Sequence, residues 1–330
     1  MKVLVTGASG FLGRHLLAAL ADDNTHDVTG LCRRPERLAA TGVPAMRGDL
    51  EVASGLADQF DGFDAVVHAA GRVSHHPRDA RAMYDAHVRA TENVLSAARA
   101  SGVRRVVLLS TSGTIAVSES PEVLDETAGS PLAITKGWPY YRAKLFAEQA
   151  AMDASDADLD VVVLNPTLLL GPTAPSSFGD GAYLSAGEDV LRPLLAGDLP
   201  VAPPGGISFV DVRDVATTTV RALTHGHPRR RYLLAGANWT FADFYARAGR
   251  IGGLRAPTWK APRFTSKLLS FLPAIAKERL PARPEEWEMA SVTWWADSSR
   301  ARAELGFAPR EPLDTLTEAV LLARAALQGV

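Results

Sequence analysis

The sequence is poor in cysteine and in long apolar runs, and it carries no excess of either charge. Its single cysteine, Cys32, has no partner for an intrachain disulfide, which fits a reducing compartment and predicts a cytoplasmic protein. No window approaches the ~18 apolar residues that a membrane span needs. The first residues, MKVLVTG, form a strand pattern rather than a secretory leader. With 35 basic and 37 acidic side chains, the net charge of -2 gives no electrostatic case for binding nucleic acid or an anionic membrane.

The composition is that of an ordinary globular chain. Hydrophobic residues make up 47% and charged residues 22% of the 330 residues, close to the globular average. At roughly 150 residues per domain, this length predicts about two domains. A chain of this size can bury a large core, which excludes intrinsic disorder and a small disulfide-stapled scaffold.

Short apolar patterns typical of strands alternate with helical patterns through the first half of the chain. Strands are predicted at residues 2–6, 27–33, 65–68, 106–109 and 161–164. Helices are predicted between them at residues 13–21, 80–100 and 140–152. This alternation implies a parallel sheet with helices on both of its faces.

The pattern changes after residue 165. Residues 171–206 are rich in Pro, Gly and Ser, with one predicted helix at 188–196. Beyond them, strands are predicted at 209–212 and 231–234 with a helix at 214–223, and the remainder is mainly helical. We therefore predict an α/β fold: a Rossmann-type, doubly wound parallel sheet at 1–165, rejoined by part of 207–236. A smaller, mainly helical substrate-binding domain is expected at 166–330.

A glycine-rich segment, TGASGFLG at residues 6–13, joins the first strand to the first helix. Gly7 permits a tight turn, Gly10 lets the backbone approach a diphosphate, and Gly13 allows close packing of helix on strand. The start of the helix directs free N–H groups and a positive dipole end at the phosphates. An ordinary strand–turn–helix joint is the alternative. The context favours a dinucleotide site that includes the intervening residues Ser9, Phe11 and Leu12.

The end of the second strand bears on the choice of dinucleotide. NAD sites usually place an acidic residue there for the ribose 2′-hydroxyl, whereas this sequence has Arg33 and Arg34. Guanidinium groups suit a 2′-phosphate, because they form charge-assisted, bidentate hydrogen bonds. The alternative is a solvated basic turn leading into Pro35. We predict that NADP(H) is preferred and that NAD(H) is possible.

Tyr140 and Lys144 are four residues apart in a predicted helix, so their side chains share one face. A tyrosine with a pKa near 10 is a poor acid–base group at neutral pH. A nearby ammonium and a positively charged nicotinamide ring would lower that pKa. A shift to near 7 requires roughly 4 kcal/mol. An exposed pair on a helix is the alternative. Tyr141 is the competing tyrosine, but the residue four positions on is Leu145.

Hydroxyl groups follow the strand predicted at 106–109, at Ser110, Thr111 and Ser112. In parallel sheets ligands bind beyond the carboxyl ends of the strands, so Ser112 is a candidate to orient a substrate oxygen and assist the tyrosine. The alternative is that these hydroxyls only satisfy the following turn.

Several further segments extend the pattern along the chain: GDL (48–50), VVHAAG (66–71), ATENVL (90–95), STSG (110–113), PYYRAK (139–144), LNPTLLLGP (164–172), FVDVRDVA (209–216) and ARAELGFAP (301–309). Together with the glycine segment, they resemble the extended short-chain dehydrogenases/reductases, the NAD-dependent epimerase/dehydratase family. Within it the sequence is similar to the dihydroflavonol reductase-like and 3β-hydroxysteroid dehydrogenase-like branch. The matches run from the start of the chain to about residue 310, in the family's order.

The resemblance implies roles for particular residues. Ser112, Tyr140 and Lys144 take the positions of the catalytic serine, tyrosine and lysine, and Tyr140 and Lys144 also contact the cofactor. The resemblance also implies that Asp49 and Leu50 contact the adenine. Ala69, Ala70 and Gly71 are implied to contact the ribose and nicotinamide. Pro166 and Thr167 are implied to contact the carboxamide. Many relatives dimerise through the helices that correspond to about 80–100 and 140–152, so a homodimer is expected.

Two histidine positions stand out. His87 occupies a position where the family commonly has asparagine. One interpretation is that His87 replaces the asparagine in holding a loop or a proton-relay water. The other is that it is only a tolerated change in packing. His75 and His76 suggest a metal, but no carboxylate or cysteine completes a ligand set. We predict no metal site and a loop near the cleft that shapes substrate access.

The family contains reductases, epimerases, dehydratases and noncatalytic sensors, and three features choose among them. The intact Ser112, Tyr140 and Lys144 disfavour a sensor. Gly113, which follows Ser112 where dehydratases have an acid, disfavours dehydration. Residues 205–208 read Gly-Gly-Ile-Ser, without the arginine that binds a nucleotide-sugar diphosphate. The prediction is an NADP(H)-dependent oxidoreductase for a small, fairly apolar ketone, aldehyde or sterol-like alcohol. A nucleotide-sugar epimerase and a noncatalytic NADP(H)-binding regulatory protein remain as alternatives.

The walls of the substrate pocket are expected in the second half of the chain. Candidates are Phe178, Tyr183 and the region 264–295, where residues 267–276 form an apolar segment read as a helix or lid.

Overall fold

A computed structural model describes residues 1–23, 25–173, 186–265 and 283–328. The predicted pocket walls Phe178 and Tyr183, and the apolar segment at 267–276, lie outside the described residues. Among the described residues, no helix is both long and apolar enough to cross a membrane.

Seven parallel strands form the main sheet, in the order β3-β2-β1-β4-β5-β6-β9. These strands are buried on both faces, which requires the nearly continuous apolar runs seen in the sequence. Their bounds are β1 Lys2–Thr6, β2 Asp27–Cys32, β3 Ala45–Arg47, β4 Ala65–His68, β5 Arg105–Leu109, β6 Asp160–Pro166 and β9 Arg230–Leu234. The predicted doubly wound α/β sheet is thus confirmed.

Helices cover both faces of this sheet. Alternate residues of β1 point to opposite sides, so Val3 and Val5 pack in one apolar cluster and Leu4 in another. Helices α1 and α8 (Val212–His225) contribute to the first cluster, and α2, α4 and α6 to the second. The helices of the first half are α1 Phe11–Asp22, α2 Leu56–Phe60, α3 Ala80–Tyr84, α4 Ala90–Ala100, α5 Leu132–Thr135 and α6 Pro139–Ala154.

The helix predicted at 80–100 is not regular. A π-helical turn, Asp85–Arg89, separates α3 from α4. It buries the three consecutive side chains Ala86, His87 and Val88. A π turn inserts an extra residue into the helix and is frequent at functional sites. Here it directs His87 toward the carboxyl end of the sheet.

A second sheet of three strands lies in the latter half of the chain, with β7 Leu168–Leu170 parallel to β8 Gly206–Asp211 and β10 Ala237–Thr240 antiparallel to it. The sequence pattern indicated a strand near β8 but neither β7 nor β10. Within 207–236, β9 pairs with β6 in the main sheet, and α8 Val212–His225 packs against that sheet. Strand β8 instead buries Ile207 and Phe209 against the helices of the second half. These helices are α7 Ala186–Leu195, α9 Phe241–Gly252, α10 Pro284–Ser291, α11 Ser299–Leu305 and α12 Pro312–Gln328.

The strand order reverses beside β1, whose two neighbours are β2 and β4. In open parallel sheets this switch point opens a crevice at the carboxyl ends of the strands, where ligands bind. The glycine segment follows β1, and Ala69 to Gly71 follow β4. The topology therefore brings two of the segments singled out in the sequence to one crevice.

Candidate active site

The glycine segment is shaped by close approaches that no larger residue allows. Gly7 has φ +70°, and a Cβ at this position would lie 2.6 Å from backbone atoms of Ala70. A Cβ at Gly13 would lie 2.2 Å from the carbonyl oxygen of Gly7. Real Cβ atoms do not approach other atoms so closely, and α1 is therefore held tightly against the loop and the end of β4.

The N-terminus of α1 is open to a ligand. The helix begins at Phe11, and its N-cap residue, Gly10, provides no capping side chain. The Gly10 amide itself donates to the Gly7 carbonyl oxygen at 2.9 Å. The amides of the first turn of a helix have no partner within the helix and bind anions readily. Ser9, Phe11 and Leu12 are partly exposed around this end. The residues present therefore fit the diphosphate of a dinucleotide.

A pocket of about 450 Å³ lies beside the end of β2. Arg33 lines this pocket, whereas Arg34 is exposed and does not line it. Arg47, which the sequence reasoning missed, lines it from the end of β3 and pairs in register with Cys32. The Arg47 guanidinium lies 3.8 Å from the carboxylate of Glu36. The position of Arg47 directly before the GDL segment was the signal for this residue.

The GDL segment forms another side of this pocket. Asp49 is among the lining residues, and its carboxylate accepts a hydrogen bond from the Glu51 amide at 3.1 Å. Leu50 is buried, and its carbonyl oxygen accepts from the Asn93 side-chain amide at 2.8 Å. The segment is thus fixed to α4 while Asp49 faces the pocket with Arg33 and Arg47.

Two of the three predicted catalytic side chains, those of Ser112 and Lys144, lie at the end of β5. Lys144 is buried on α6, and its Nζ donates to the carbonyl oxygen of Leu109, the last residue of β5, at 2.7 Å. Ser112 is buried three residues further on, in a short 3-10 turn at Ser112–Thr114. Tyr140 is one turn before Lys144 on α6. The alternative of an exposed helix pair is wrong for Lys144.

Burial opposes the formation of charge on both members of the pair. It raises the pKa of Tyr140 to about 12 and lowers the pKa of Lys144 to about 8, with the Glu148 carboxylate opposing the latter shift. From the sequence alone, the ammonium together with a positively charged nicotinamide is predicted to lower the tyrosine pKa. In the protein alone the shift is upward, because the phenol is desolvated among the rings of His75, His87 and Tyr141.

His87 holds the loop that follows β4. Its Nε2 lies 2.7 Å from the carbonyl oxygen of Arg72, an arrangement in which the ring donates and the carbonyl accepts. The ring contacts Tyr140 edge-on at 5.3 Å, and a Cβ at Gly71 would lie 2.5 Å from it. Burial lowers the pKa of His87 to about 3, so the ring is neutral at physiological pH. It is therefore a loop-holding and packing group beside the tyrosine.

His75 and His76 have different surroundings. The ring of His75 stacks on Tyr141 at 5.8 Å and meets Tyr140 edge-on at 6.1 Å. His76 caps a 3-10 turn, with its Nδ1 accepting from the Arg78 amide at 3.2 Å. Over the part of the chain that is described, no three histidine, cysteine or acidic side chains are grouped as metal ligands.

Pro166 and Thr167 lie at the carboxyl end of β6. Both are buried, and the amide of Thr167 donates to the carbonyl oxygen of Leu234 at 3.0 Å. The Thr167 hydroxyl donates to the same oxygen at 3.2 Å. This anchors the segment to the end of β9, at the same edge of the sheet as the turn that carries Ser112.

Comparison with known proteins agrees with this arrangement. The sequence matches the model of the NAD dependent epimerase/dehydratase family over residues 3–235. A protein from Synechocystis sp., provisionally named as a dihydroflavonol 4-reductase, is 29% identical over 330 residues, which cover 96% of this chain and 92% of that protein. Cinnamoyl-CoA reductase 1 from Arabidopsis thaliana is 32% identical over 250 residues, 71% of this chain and 70% of its own length.

A solved structure has the same fold. UDP-glucuronic acid 4-epimerase from Bacillus cereus, in complex with NAD, superposes with a TM-score of 0.75 over 100% of this chain and 98% of that one, at 19% identity. The sequence match extends over most of the chain and the fold over all of it. The protein is therefore a member of the NAD-dependent epimerase/dehydratase family, the extended short-chain dehydrogenases/reductases.

Proposed function

We propose that the protein is an NADP(H)-dependent oxidoreductase that interconverts a carbonyl and an alcohol on a small, fairly apolar substrate. The observation that carries this proposal is the placement of the buried Lys144 and of Ser112 at the end of β5, with Tyr140 one helical turn before Lys144 on α6. This edge of the sheet is where the fold binds ligands. The reductase names among the relatives support a reaction of this class.

The proposed cofactor site combines the residues that the structure shows to fit a dinucleotide with those that the family resemblance implies. The open N-terminus of α1 would hold the diphosphate, and Asp49 and Leu50 would contact the adenine. Ala69 to Gly71 would line the ribose and nicotinamide, and Pro166 and Thr167 would contact the carboxamide. Arg33 and Arg47 line one pocket, and a pair of guanidinium groups there favours a 2′-phosphate. When bound, the dinucleotide supplies or accepts the hydride, which is chemistry that no side chain provides.

The remaining chemistry belongs to the protein. Ser112 orients the substrate oxygen by a hydrogen bond, and Tyr140 donates its phenolic proton to that oxygen during reduction. Lys144 presents a positive charge from the same helix face, which favours the phenolate left behind. In the reverse direction the Tyr140 phenolate takes the proton of the alcohol.

Close packing at three glycines supports a reductase over the other reactions of the family. A Cβ at Gly113 would lie 2.2 Å from the ring of Tyr141, so the acid of a dehydratase does not fit there. A Cβ at Gly205 would lie 2.1 Å from the carbonyl oxygen of Val292, and one at Gly206 would lie 2.6 Å from Trp295. An arginine for a nucleotide-sugar diphosphate is therefore excluded at both glycines.

A homodimer is part of the proposal. The helix pair α3 and α6 leaves two large apolar side chains exposed, Tyr84 at 40% and Phe146 at 41%. Both belong to the helices through which the resemblance implies dimerisation. Burying this surface against a second copy would remove it from water.

The decisive experiment is a screen of NADPH oxidation over aldehydes and ketones, paired with NADP⁺ reduction over alcohols and sterols. We expect Tyr140→Phe to abolish turnover, because the proton donor is lost, while NADPH binding measured by fluorescence stays nearly intact. Tyr141→Phe is the matched control and should remain active.

Three results would contradict the proposal. Full activity of Tyr140→Phe would remove the assigned catalytic residue. Turnover only with nucleotide sugars would indicate an epimerase. NADPH binding without any turnover across the panel would indicate a regulatory protein.

A further inference from the structure

A buried carboxylate lies on α6 one turn beyond Lys144. Glu148 follows Tyr140 and Lys144 at a spacing of four residues, so the three side chains share one helix face. Only 4% of Glu148 is exposed. A buried carboxylate is costly unless it is paired and hydrogen-bonded, and the partners of Glu148 therefore show what it does.

One oxygen of Glu148 accepts three hydrogen bonds. Its Oε2 lies 2.6 Å from Ser110 Oγ, 2.8 Å from Thr114 Oγ1 and 2.7 Å from Asn165 Nδ2. The other oxygen, Oε1, lies 3.5 Å from a guanidinium nitrogen of Arg231 on β9. The carboxylate thus joins α6 to the ends of β5 and β6 and to β9.

These hydrogen bonds hold the turn that carries Ser112. Ser110 and Thr114 stand on either side of Ser112, and both donate to Glu148. Asn165 adds a bond to the carbonyl oxygen of Thr111 at 3.2 Å. The segment 110–114 is therefore fixed at both ends, while the hydroxyl of Ser112 makes no hydrogen bond to this carboxylate.

The negative charge of Glu148 also acts on Lys144. It favours the ammonium form, against the burial that lowers the Lys144 pKa to about 8. Other titratable groups face this region from β4 and from the π turn: burial lowers the pKa of His68 and that of His87 to about 3, so both are neutral near pH 7. Tyr140 faces it from α6, and Arg231 offsets part of the carboxylate charge from β9.

We propose that Glu148 is a positioning residue of the oxidoreductase site, holding the Ser112 turn in place and supporting the charge of the Lys144 ammonium. This inference rests on the proposed function, because Ser112 and Lys144 are assigned there. It gives Glu148 two separable effects, one through the hydrogen bonds and one through the charge.

The charge effect is measured on the protein without cofactor or substrate. NMR titration of protein labelled with ¹³C at the lysine ε-carbons reports each ammonium, and Lys144→Arg identifies the Lys144 signal. We expect Glu148→Gln to lower the Lys144 pKa by roughly 1 unit or more. Glu126→Gln, which removes another buried carboxylate bonded to β9, should leave it unchanged.

The hydrogen-bonding effect is measured by kinetics. Ser110→Ala removes one donor to Glu148, and Thr114→Val removes another together with the bond of that hydroxyl to the Thr111 carbonyl oxygen. Both variants retain the charge, so we expect kcat to fall by roughly tenfold or more with KM for NADPH and the Lys144 pKa unchanged. Glu148→Gln should show both a lower kcat and a lower Lys144 pKa. In this variant, the pH above which kcat for alcohol oxidation declines should therefore be lower than in the wild-type protein.

The outcomes separate the two proposals. An active wild-type protein whose Glu148→Gln variant keeps its kcat and its Lys144 pKa would overturn the role of Glu148 alone. A wild-type protein that turns over nothing would overturn the proposed function, while the NMR titration still decides the charge effect. If Glu148→Gln does not fold, unchanged kcat in both Ser110→Ala and Thr114→Val would overturn the role of Glu148.

Discussion

At the scale of single residues, burial raises the pKa of Tyr140 and lowers the pKa of Lys144, and both shifts favour the neutral form of the side chain. The pKa of the phenol rises to about 12 and that of the ammonium falls to about 8, because a desolvated environment disfavours the charged form of each. The protein alone therefore favours a neutral phenol. The proposed acid–base role requires a further positive charge next to the ring, which an oxidised nicotinamide would bring.

The first prediction concerns Arg33. Arg33→Ala removes a guanidinium from the pocket next to β2, so we expect the Kd for NADPH to rise about tenfold or more, the loss of one charge-assisted hydrogen-bonding group. The Kd for NADH should change little. Titration calorimetry with both cofactors measures the ratio.

Arg34→Ala is the matched control for that experiment, since Arg34 is exposed outside the pocket. An equal loss of affinity for NADH and NADPH in Arg33→Ala would contradict a role in recognising the 2′-phosphate. A wild-type protein that binds NADH more tightly than NADPH would contradict the cofactor preference itself.

At the scale of elements, the contact between α1 and the glycine loop is the most constrained feature of the crevice. Gly13→Ala places a methyl group 2.2 Å from the Gly7 carbonyl oxygen, and the helix must move away from the loop. We expect a loss of about 1–3 kcal/mol in the free energy of unfolding, the usual cost of overpacking. Cofactor affinity should fall as well, because the amides that bind the diphosphate move.

Gly129→Ala is the control for this substitution. Gly129 has a negative φ and open space around its Cβ position, so its replacement should be neutral or slightly stabilising. Urea unfolding measures both variants. Equal stability of Gly13→Ala and the wild-type protein would show that the loop is not held as tightly as its geometry indicates.

The strands and helices differ in how well their sequence predicts them. The strands predicted at 2–6 and 65–68 coincide with β1 and β4, because a strand buried on both faces has a continuous apolar run. The strands β7 and β10 escaped prediction, since their side chains are only partly buried for the most part and lack that pattern. The π turn at Asp85–Arg89 also escaped it, because an inserted residue leaves no local signal.

At the scale of the whole molecule, buried histidines, among them His68 and His87, make the stability depend on pH, and burial also lowers the pKa of His15 and that of His75. The pKa of His68 and that of His87 are lowered to about 3 by burial, whereas in the unfolded chain they are near 6.5. The unfolded state therefore binds more protons between these values, and stability falls as the pH falls below about 6.5. Each histidine contributes at most about 1.4 kcal/mol per pH unit.

We accordingly expect the free energy of unfolding in urea to fall by on the order of 2–4 kcal/mol between pH 7 and pH 5. His87→Asn replaces a titrating ring with an amide, so its slope against pH should be smaller than that of the wild-type protein. His225→Asn, a change at an exposed residue of α8, should keep the full slope. An unchanged slope in His87→Asn would contradict this origin of the pH dependence.

The assembly gives the last prediction. If the helices α3, α4 and α6 form the proposed dimer interface, Phe146→Glu places a charge in it. The mass measured by light scattering should then fall to that of one chain. Val123→Glu changes another exposed apolar side chain, 54% exposed in a loop, and should leave the mass unchanged. A wild-type mass of one chain would contradict the proposed dimer directly.

The sequence by itself determined the features whose cause is local. The glycine segment was visible because only glycine permits its turn and close approaches, and Tyr140 with Lys144 because the helix period sets their common face. The strand–helix alternation predicted the parallel sheet, because the residue periods of strand and helix are also set by local geometry. The order of matching segments was enough to indicate the family that the comparisons confirm.

Only the tertiary structure decided the features that depend on which distant segments meet. Arg47 reaches the pocket of Arg33 because β3 pairs with β2, and His87 reaches Tyr140 because the π turn faces α6. Glu148 is one more acidic residue on a helix until β5, β6 and β9 bring its hydrogen-bonding partners around it. Strand register and helix packing are fixed by burial across the whole fold, and residue spacing along the chain does not contain them.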